Sequence, residues 1–111
     1  MEISEQMTRE VCYFLGTSYD DPEERSLVTS LIKFAYAELM QKTGVNWLEC
    51  TSPNYDIAFE TVRSKVYMSY YNNRDDSKNT EHLERFIAAK TFSLIYSEEA
   101  VKAREAGNGS Q

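Results

Sequence analysis

Apolar residues recur every three or four positions along most of the chain, the spacing of one face of an α-helix. The clearest stretch starts at Asp21 and Pro22, which have the chemistry of a helix cap and of a first helical position, and closes at Gly44. Its apolar stripe consists of Leu27, Val28, Leu31, Ile32, Ala35 and Leu39. We therefore predict a long helix between Asp21 and Gly44.

The same spacing predicts one helix before this stretch and one after it. Val11 and Phe14 indicate a short helix over residues 9–15, capped by Thr8 and ended by Gly16. A further helix over residues 55–72 has an apolar face of Ile57, Ala58, Val62, Val66 and Tyr70, flanked by Phe59 and Tyr67. Three helices with one apolar stripe each are what a small bundle needs.

The C-terminal third is less regular. The polar residues 72–79 interrupt the pattern before a fourth helix. Residues 91–96 alternate and are rich in β-formers, so a short strand or hairpin is the alternative there. A last helical segment ends near Ala106, and residues 107–111 form a predicted flexible tail. The predicted fold class is all-α, a bundle of four to five helices in a single domain over residues 1–106.

Composition and charge argue against several classes of function. The 111 residues suffice for one domain, and 12 basic against 18 acidic residues give a net charge of −6. Such a surface repels nucleic-acid phosphates on average. Cys12 and Cys50 fit no zinc-binding spacing, so we expect two free thiols. No apolar run reaches the length of a membrane helix.

Candidate catalytic residues are few. The one histidine, His82, lies near the start of a polar helix, where a solvated imidazole is expected. Ser30 and Lys33 match a Ser-x-x-Lys pattern, but the motifs that accompany it in acyl-transfer enzymes are absent from the sequence. The sequence therefore predicts a binding or assembly module, with no enzymatic activity, no cofactor and no metal.

The densest aromatic cluster lies at the end of the third predicted helix. Tyr67, Tyr70 and Arg74 share a helix face, and Tyr and Arg are enriched at protein interfaces. The alternative is that the tyrosine rings cap the core and leave their hydroxyls in solvent. The candidate subunit or partner contacts are Trp47, Tyr67, Tyr70, Tyr71, Asn73, Arg74 and Asp75.

The order of these features is more specific than any one of them. Phe14-Leu15-Gly16 leads into the acidic turn Asp20-Asp21, the long helix closes in Lys42-Thr43-Gly44, and the third helix ends in Tyr70-Tyr71-Asn72-Asn73-Arg74-Asp75. Over residues 8–76 the chain resembles the head–tail connector family of tailed bacteriophages and prophages, also described as head completion proteins or DNA-packaging adaptors.

The resemblance implies a structural protein without chemistry of its own. Roughly a dozen copies would form a closed ring below the portal protein, which extends the DNA channel and joins a tail-side completion protein. DNA would pass without sequence-specific binding. The expected place is the virion neck, with assembly in the host bacterial cytoplasm and no membrane partner. The alternatives are a small acidic regulatory protein-binding module or DNA mimic, and another phage helper such as a tail terminator.

Overall fold

The computed structural model describes residues 2–49, 53–72 and 81–109. Within those ranges the chain has five helices and no strand, which confirms the predicted small all-α bundle. The helices are α1 (Glu5–Leu15), α2 (Pro22–Thr43), α3 (Asn54–Asn72), α4 (Glu81–Ile95) and α5 (Glu98–Gly109).

The strand alternative for residues 91–96 is wrong, because these residues continue α4 to Ile95. The Tyr96 N–H donates to the Phe92 carbonyl at 3.3 Å, so the backbone at this end is hydrogen-bonded locally. An unpaired strand would leave such groups without partners. The alternating pattern therefore reflects a helix that turns Leu94 inward and leaves Phe92 exposed.

Helix α1 begins earlier than the sequence predicts. Its cap is Ser4, whose hydroxyl accepts a hydrogen bond from the Met7 N–H at 3.1 Å. Thr8, the predicted cap, is buried inside the helix, and its hydroxyl lies 3.2 Å from that of Thr29 on α2. The longer helix buries Met7 and Thr8, a tertiary gain that the local capping pattern does not reveal.

Both ends of α2 are as predicted. The Asp21 carboxylate accepts from the N–H of Glu23 at 3.0 Å and from that of Glu24 at 3.5 Å. Gly44 ends the helix with a φ of 79°, and Gly16 ends α1 in the same left-handed conformation. These two exits direct the chain back across the bundle.

Helices α2, α3 and α4 contact one another and form the centre of the bundle. Helix α1 packs on α2, and α5 packs on α4. The molecule measures 46 × 29 × 23 Å. Its core comprises Met7, Val11, Cys12, Leu15, Val28, Ile32, Ala35, Tyr36, Leu39, Trp47, Ala58, Val62, Val66, Tyr70 and Leu94.

Two details of the predicted pattern differ. Leu27, assigned to the α2 stripe, is 41% exposed. Tyr36, which was not assigned to the stripe, is buried on the inward face of α2. Helix α5 continues to Gly109, three residues beyond its predicted end at Ala106. None of the helices in the described ranges is both long and apolar enough to cross a membrane.

Candidate functional site

Trp47, a predicted contact residue, lies inside the subunit. Its side chain is 1% exposed, and its indole N–H donates to the Thr43 hydroxyl at 3.0 Å. The same hydroxyl accepts from the Val45 N–H at 3.2 Å. Trp47 therefore anchors the connector after α2 to the core, and its ring is not available at the surface.

The three predicted tyrosines form one cluster, in which Tyr70 is buried and Tyr67 and Tyr71 are half-buried. The Tyr67 and Tyr71 ring centroids are 4.6 Å apart, and those of Tyr70 and Tyr71 are 5.1 Å apart. The Tyr70 hydroxyl donates to the Glu24 carboxylate at 3.0 Å, and the Tyr71 hydroxyl donates to the Leu15 carbonyl at 2.6 Å. The cluster thus joins the end of α3 to α1 and α2, with the Tyr70 and Tyr71 hydroxyls bonded to protein groups.

The other predicted contact residues, Asn73, Arg74 and Asp75, lie outside the described residues. The contact assigned to them stays a prediction. His82 is exposed at the start of α4, and Ser30 and Lys33 are exposed on α2. In the described ranges, no three His, Cys, Asp or Glu side chains gather as a set of metal ligands.

An exposed aromatic and basic surface lies where α1 meets α3. We name it the α1 patch and define it as Arg9, Tyr13 and Phe14 of α1 with Arg63 of α3; together with Glu10 of α1 they line one open depression. Tyr13 is 89% exposed. The Arg63 guanidinium lies 4.4 Å from the Phe14 ring centroid, and that of Arg9 lies 4.8 Å from the Tyr19 ring centroid.

The two arginines of the α1 patch have no carboxylate partner among the residues that the structure describes. Each guanidinium instead lies over an aromatic ring, which holds it in place. Arg9 is exposed, so its N–H groups are able to donate to an anion, whereas Arg63 is half-buried and its Nε is inside the protein. Arginine and tyrosine together are the composition typical of binding hot spots.

A second apolar surface lies along α4. We name the residues spaced four apart on this helix, Glu84, Ala88, Phe92 and the adjoining Tyr96, the α4 stripe. Phe92 and Tyr96 are 64% and 65% exposed, and their ring centroids are 4.8 Å apart. Beside the stripe, a groove of about 540 Å³ lies between α4 and α3. Its apolar lining includes Met68, Ile87 and Ile95.

The positive charges beside this groove are already partnered. Lys65 forms an ion pair with Glu38 of α2, and Lys42 lies 3.9 Å from the same carboxylate. Burial lowers the pKa of Lys65. Glu84, by contrast, has no cation within ion-pair distance in the described part of the chain. The charge that this side of the molecule offers to a partner is therefore the carboxylate of Glu84.

The α1 patch and the α4 groove lie on opposite sides of α3. Arg63 lines the first and Lys65 lines the second, and residues two apart in an α-helix point about 200° apart. Within the described residues, the bundle therefore carries an aromatic surface whose arginines have no ion-pair partner on one side and an aromatic surface whose carboxylate has none on the other.

The sequence prediction missed these exposed aromatic residues. Tyr13, Phe92 and Tyr96 occur at positions where a helix of this bundle would be expected to carry polar side chains. A search for aromatic residues off the inward stripe would have found Tyr13. Phe92 and Tyr96 were not recognised as exposed, because the strand alternative for residues 91–96 places them on the same face as Leu94. Comparison of the chain with protein families, curated proteins and solved structures found no match.

Proposed function

We propose that this protein is a structural head–tail connector of a tailed phage or prophage, which assembles as a ring below the portal protein and extends the DNA channel. The proposal is supported by the resemblance over residues 8–76, which includes most of α1 and all of α2 and α3. The observation that carries it is the pair of exposed aromatic surfaces on opposite sides of α3. Head-to-tail contacts between copies need two different surfaces, and they close into a ring when the rotation allows.

Charge is compatible with a channel role. Each copy has a net charge of −6, so a ring of such copies repels the DNA backbone and does not bind it. DNA moving through the ring would then meet little adhesion. The neighbours in this proposal are the portal protein above and a tail-side completion protein below.

The decisive experiment deletes the coding sequence from the phage or prophage that carries it. We expect heads that contain no attached tail, counted by negative-stain electron microscopy, and recovery of tailed particles when the wild-type chain is supplied from a plasmid. Lys33→Glu, an exposed change on α2 outside both aromatic surfaces, is the matched control and should restore assembly equally. Tailed, infectious particles without the chain would overturn the proposal.

The acidic regulatory module or DNA mimic remains the alternative proposal, and the same particles test it. A connector should be present in purified virions at a ring-sized copy number, which quantitative mass spectrometry measures. A DNA mimic should be absent from them. The ion pairs of Glu38, Glu81 and Glu98 with Lys65, Arg85 and Lys102 count against a mimic, because a carboxylate paired with a cation is a poor substitute for a free phosphate.

A further inference from the structure

We infer that the α1 patch of one copy binds the α4 stripe of the next copy. This inference rests on the proposed function, since it names the contact by which copies would assemble, but its test does not require a virion. It assigns the contact to residues outside the tyrosine cluster that the sequence pointed to.

The charges of the two surfaces are complementary. The α1 patch carries two guanidinium groups, Arg9 and Arg63, and borders one carboxylate, Glu10, so its charge is positive overall. The α4 stripe carries the Glu84 carboxylate. Arg9, Arg63 and Glu84 have no ion-pair partner in the described part of the subunit. Opposite charges on facing surfaces steer association and fix the register of a contact. In a molecule with a net charge of −6, two arginines on one surface that pair with no described carboxylate are a specific feature.

The apolar parts of the two surfaces also correspond. Arg9 and Tyr13 are four residues apart on α1, and Glu84 and Phe92 are eight apart on α4, so each helix presents a charged group and an aromatic ring along one line. Tyr13 with Phe14 and Phe92 with Tyr96 would bury against each other. Exposed aromatic surfaces of this kind mark interaction sites in soluble proteins.

The placement of the surfaces decides the type of contact. Because they lie on opposite sides of α3, one copy cannot use both surfaces against the same neighbour in a small symmetric dimer. Each copy that binds through its α1 patch leaves its α4 stripe open for another copy. The contact is therefore heterologous, and it closes into a ring when the rotation between neighbouring copies allows.

Two blocked variants test this arrangement. The first combines Arg9→Glu with Tyr13→Ser and blocks the α1 patch; the second combines Glu84→Arg with Phe92→Ser and blocks the α4 stripe. Each alone should be monomeric in native mass spectrometry at concentrations where the wild-type chain associates. Mixed, they retain one working surface of each kind and should form a one-to-one dimer and nothing larger.

Charge exchange tests the pairing itself. Arg9→Glu and Glu84→Arg, made singly, should each weaken self-association about tenfold in sedimentation measurements, and the double variant should recover most of that loss. Lys33→Glu is the matched charge reversal outside both surfaces and should leave association unchanged. All the substituted positions are exposed, and the half-buried Arg63 is left intact. In any variant whose circular dichroism differs from that of wild type, Gln is used instead of the residue of opposite charge.

Several outcomes would overturn the contact. These are a wild-type chain that stays monomeric at millimolar concentration, a blocked variant that still dimerises with itself, or a double variant that recovers nothing. Failure of the proposed function is distinguishable, because tailed particles formed without the chain would refute the connector role while the mixed dimer still formed in solution.

Discussion

The Thr43 hydroxyl makes three hydrogen bonds, one within α2 and two that join the end of α2 to the connector. It donates to the Leu39 carbonyl at 2.9 Å and accepts from Val45 and from Trp47. Thr43→Val would leave the buried Trp47 indole N–H without its acceptor. We expect the free energy of unfolding to fall by about 2 kcal/mol, measured by urea denaturation.

Thr61 provides the matched control for this prediction. It is also buried in a helix, and its hydroxyl donates to the Ile57 carbonyl at 2.7 Å, four residues earlier. It accepts no hydrogen bond from another side chain in the described part of the chain. Thr61→Val should lower the free energy of unfolding by less than about 1 kcal/mol. Equal losses in the two variants would show that the Trp47 bond is not what Thr43 contributes.

The buried Tyr36 should make the free energy of unfolding depend on pH in the alkaline range. Burial raises the pKa of its phenol, and the neighbouring Tyr55 raises it further. The neutral phenol is therefore favoured in the folded state. Its contribution is complete below the unfolded pKa of about 10 and is lost as pH rises from there toward the folded pKa.

The measurement compares wild type with Tyr36→Phe between pH 9 and pH 12, a range of about three units around the unfolded tyrosine pKa. The free energy of unfolding should fall more steeply in wild type, by up to about 1.4 kcal/mol per pH unit. Tyr13→Phe, at an exposed position, should follow the wild-type curve. Parallel curves for wild type and Tyr36→Phe would contradict the assignment.

Gly16 ends helix α1 in the left-handed conformation. Its φ is 78°, and an added Cβ would meet no atom within 4 Å, so a substitution here changes backbone strain without a clash. Gly16→Ala should lower the free energy of unfolding by about 1 kcal/mol. Gly16→Asn should lower it less, since Asn tolerates the left-handed conformation better. Thermal unfolding of both variants measures the difference, and equal losses would refute the strain explanation.

The sequence predicted helix ends correctly where neighbouring residues alone determine them. Asp21, Pro22 and Gly44 bounded α2 correctly because capping involves only neighbouring residues. The strand alternative for residues 91–96 was wrong for a geometric reason. In a strand, Phe92, Leu94 and Tyr96 would share one face, whereas in a helix Phe92 and Tyr96 share a face and Leu94 turns inward. Only packing of α4 against α3 decides between them, and that contact is not local.

The candidate site could be predicted from the sequence only in part. The tyrosine cluster at the end of α3 is present, but α1 packs on it and covers part of it. Tyr71 donates to Leu15, and Phe14 packs at 5.7 Å from Tyr67. No pattern within α3 records which helix will cover it. The exposed aromatic residues became recognisable as candidate contacts once the bundle had fixed which helix faces remain uncovered.

Burial is uneven across the whole molecule. Helix α2 buries Val28, Ile32 and four further residues, whereas the described side chains of α5 include one buried residue, Ala100. Helix α5 is also joined to the start of α3, where the Asn54 amide donates to Glu99 at 2.8 Å. Local opening needs least free energy where few apolar contacts are lost. Amide hydrogen exchange should therefore be slowest in α2 and α3 and fastest in α5.

The same exchange experiment, repeated at a concentration where copies associate, locates the contact on the whole molecule. If the α1 patch of one copy covers the α4 stripe of another, amides of α1 and α4 should exchange more slowly at high concentration, because opening them then requires separating two subunits. Helix α5 is the internal control and should keep its rate. The Glu84→Arg, Phe92→Ser variant should lose the concentration effect in both helices. Slowing confined to α5, or equal in every helix, would show that the subunits meet at a surface other than the two named here.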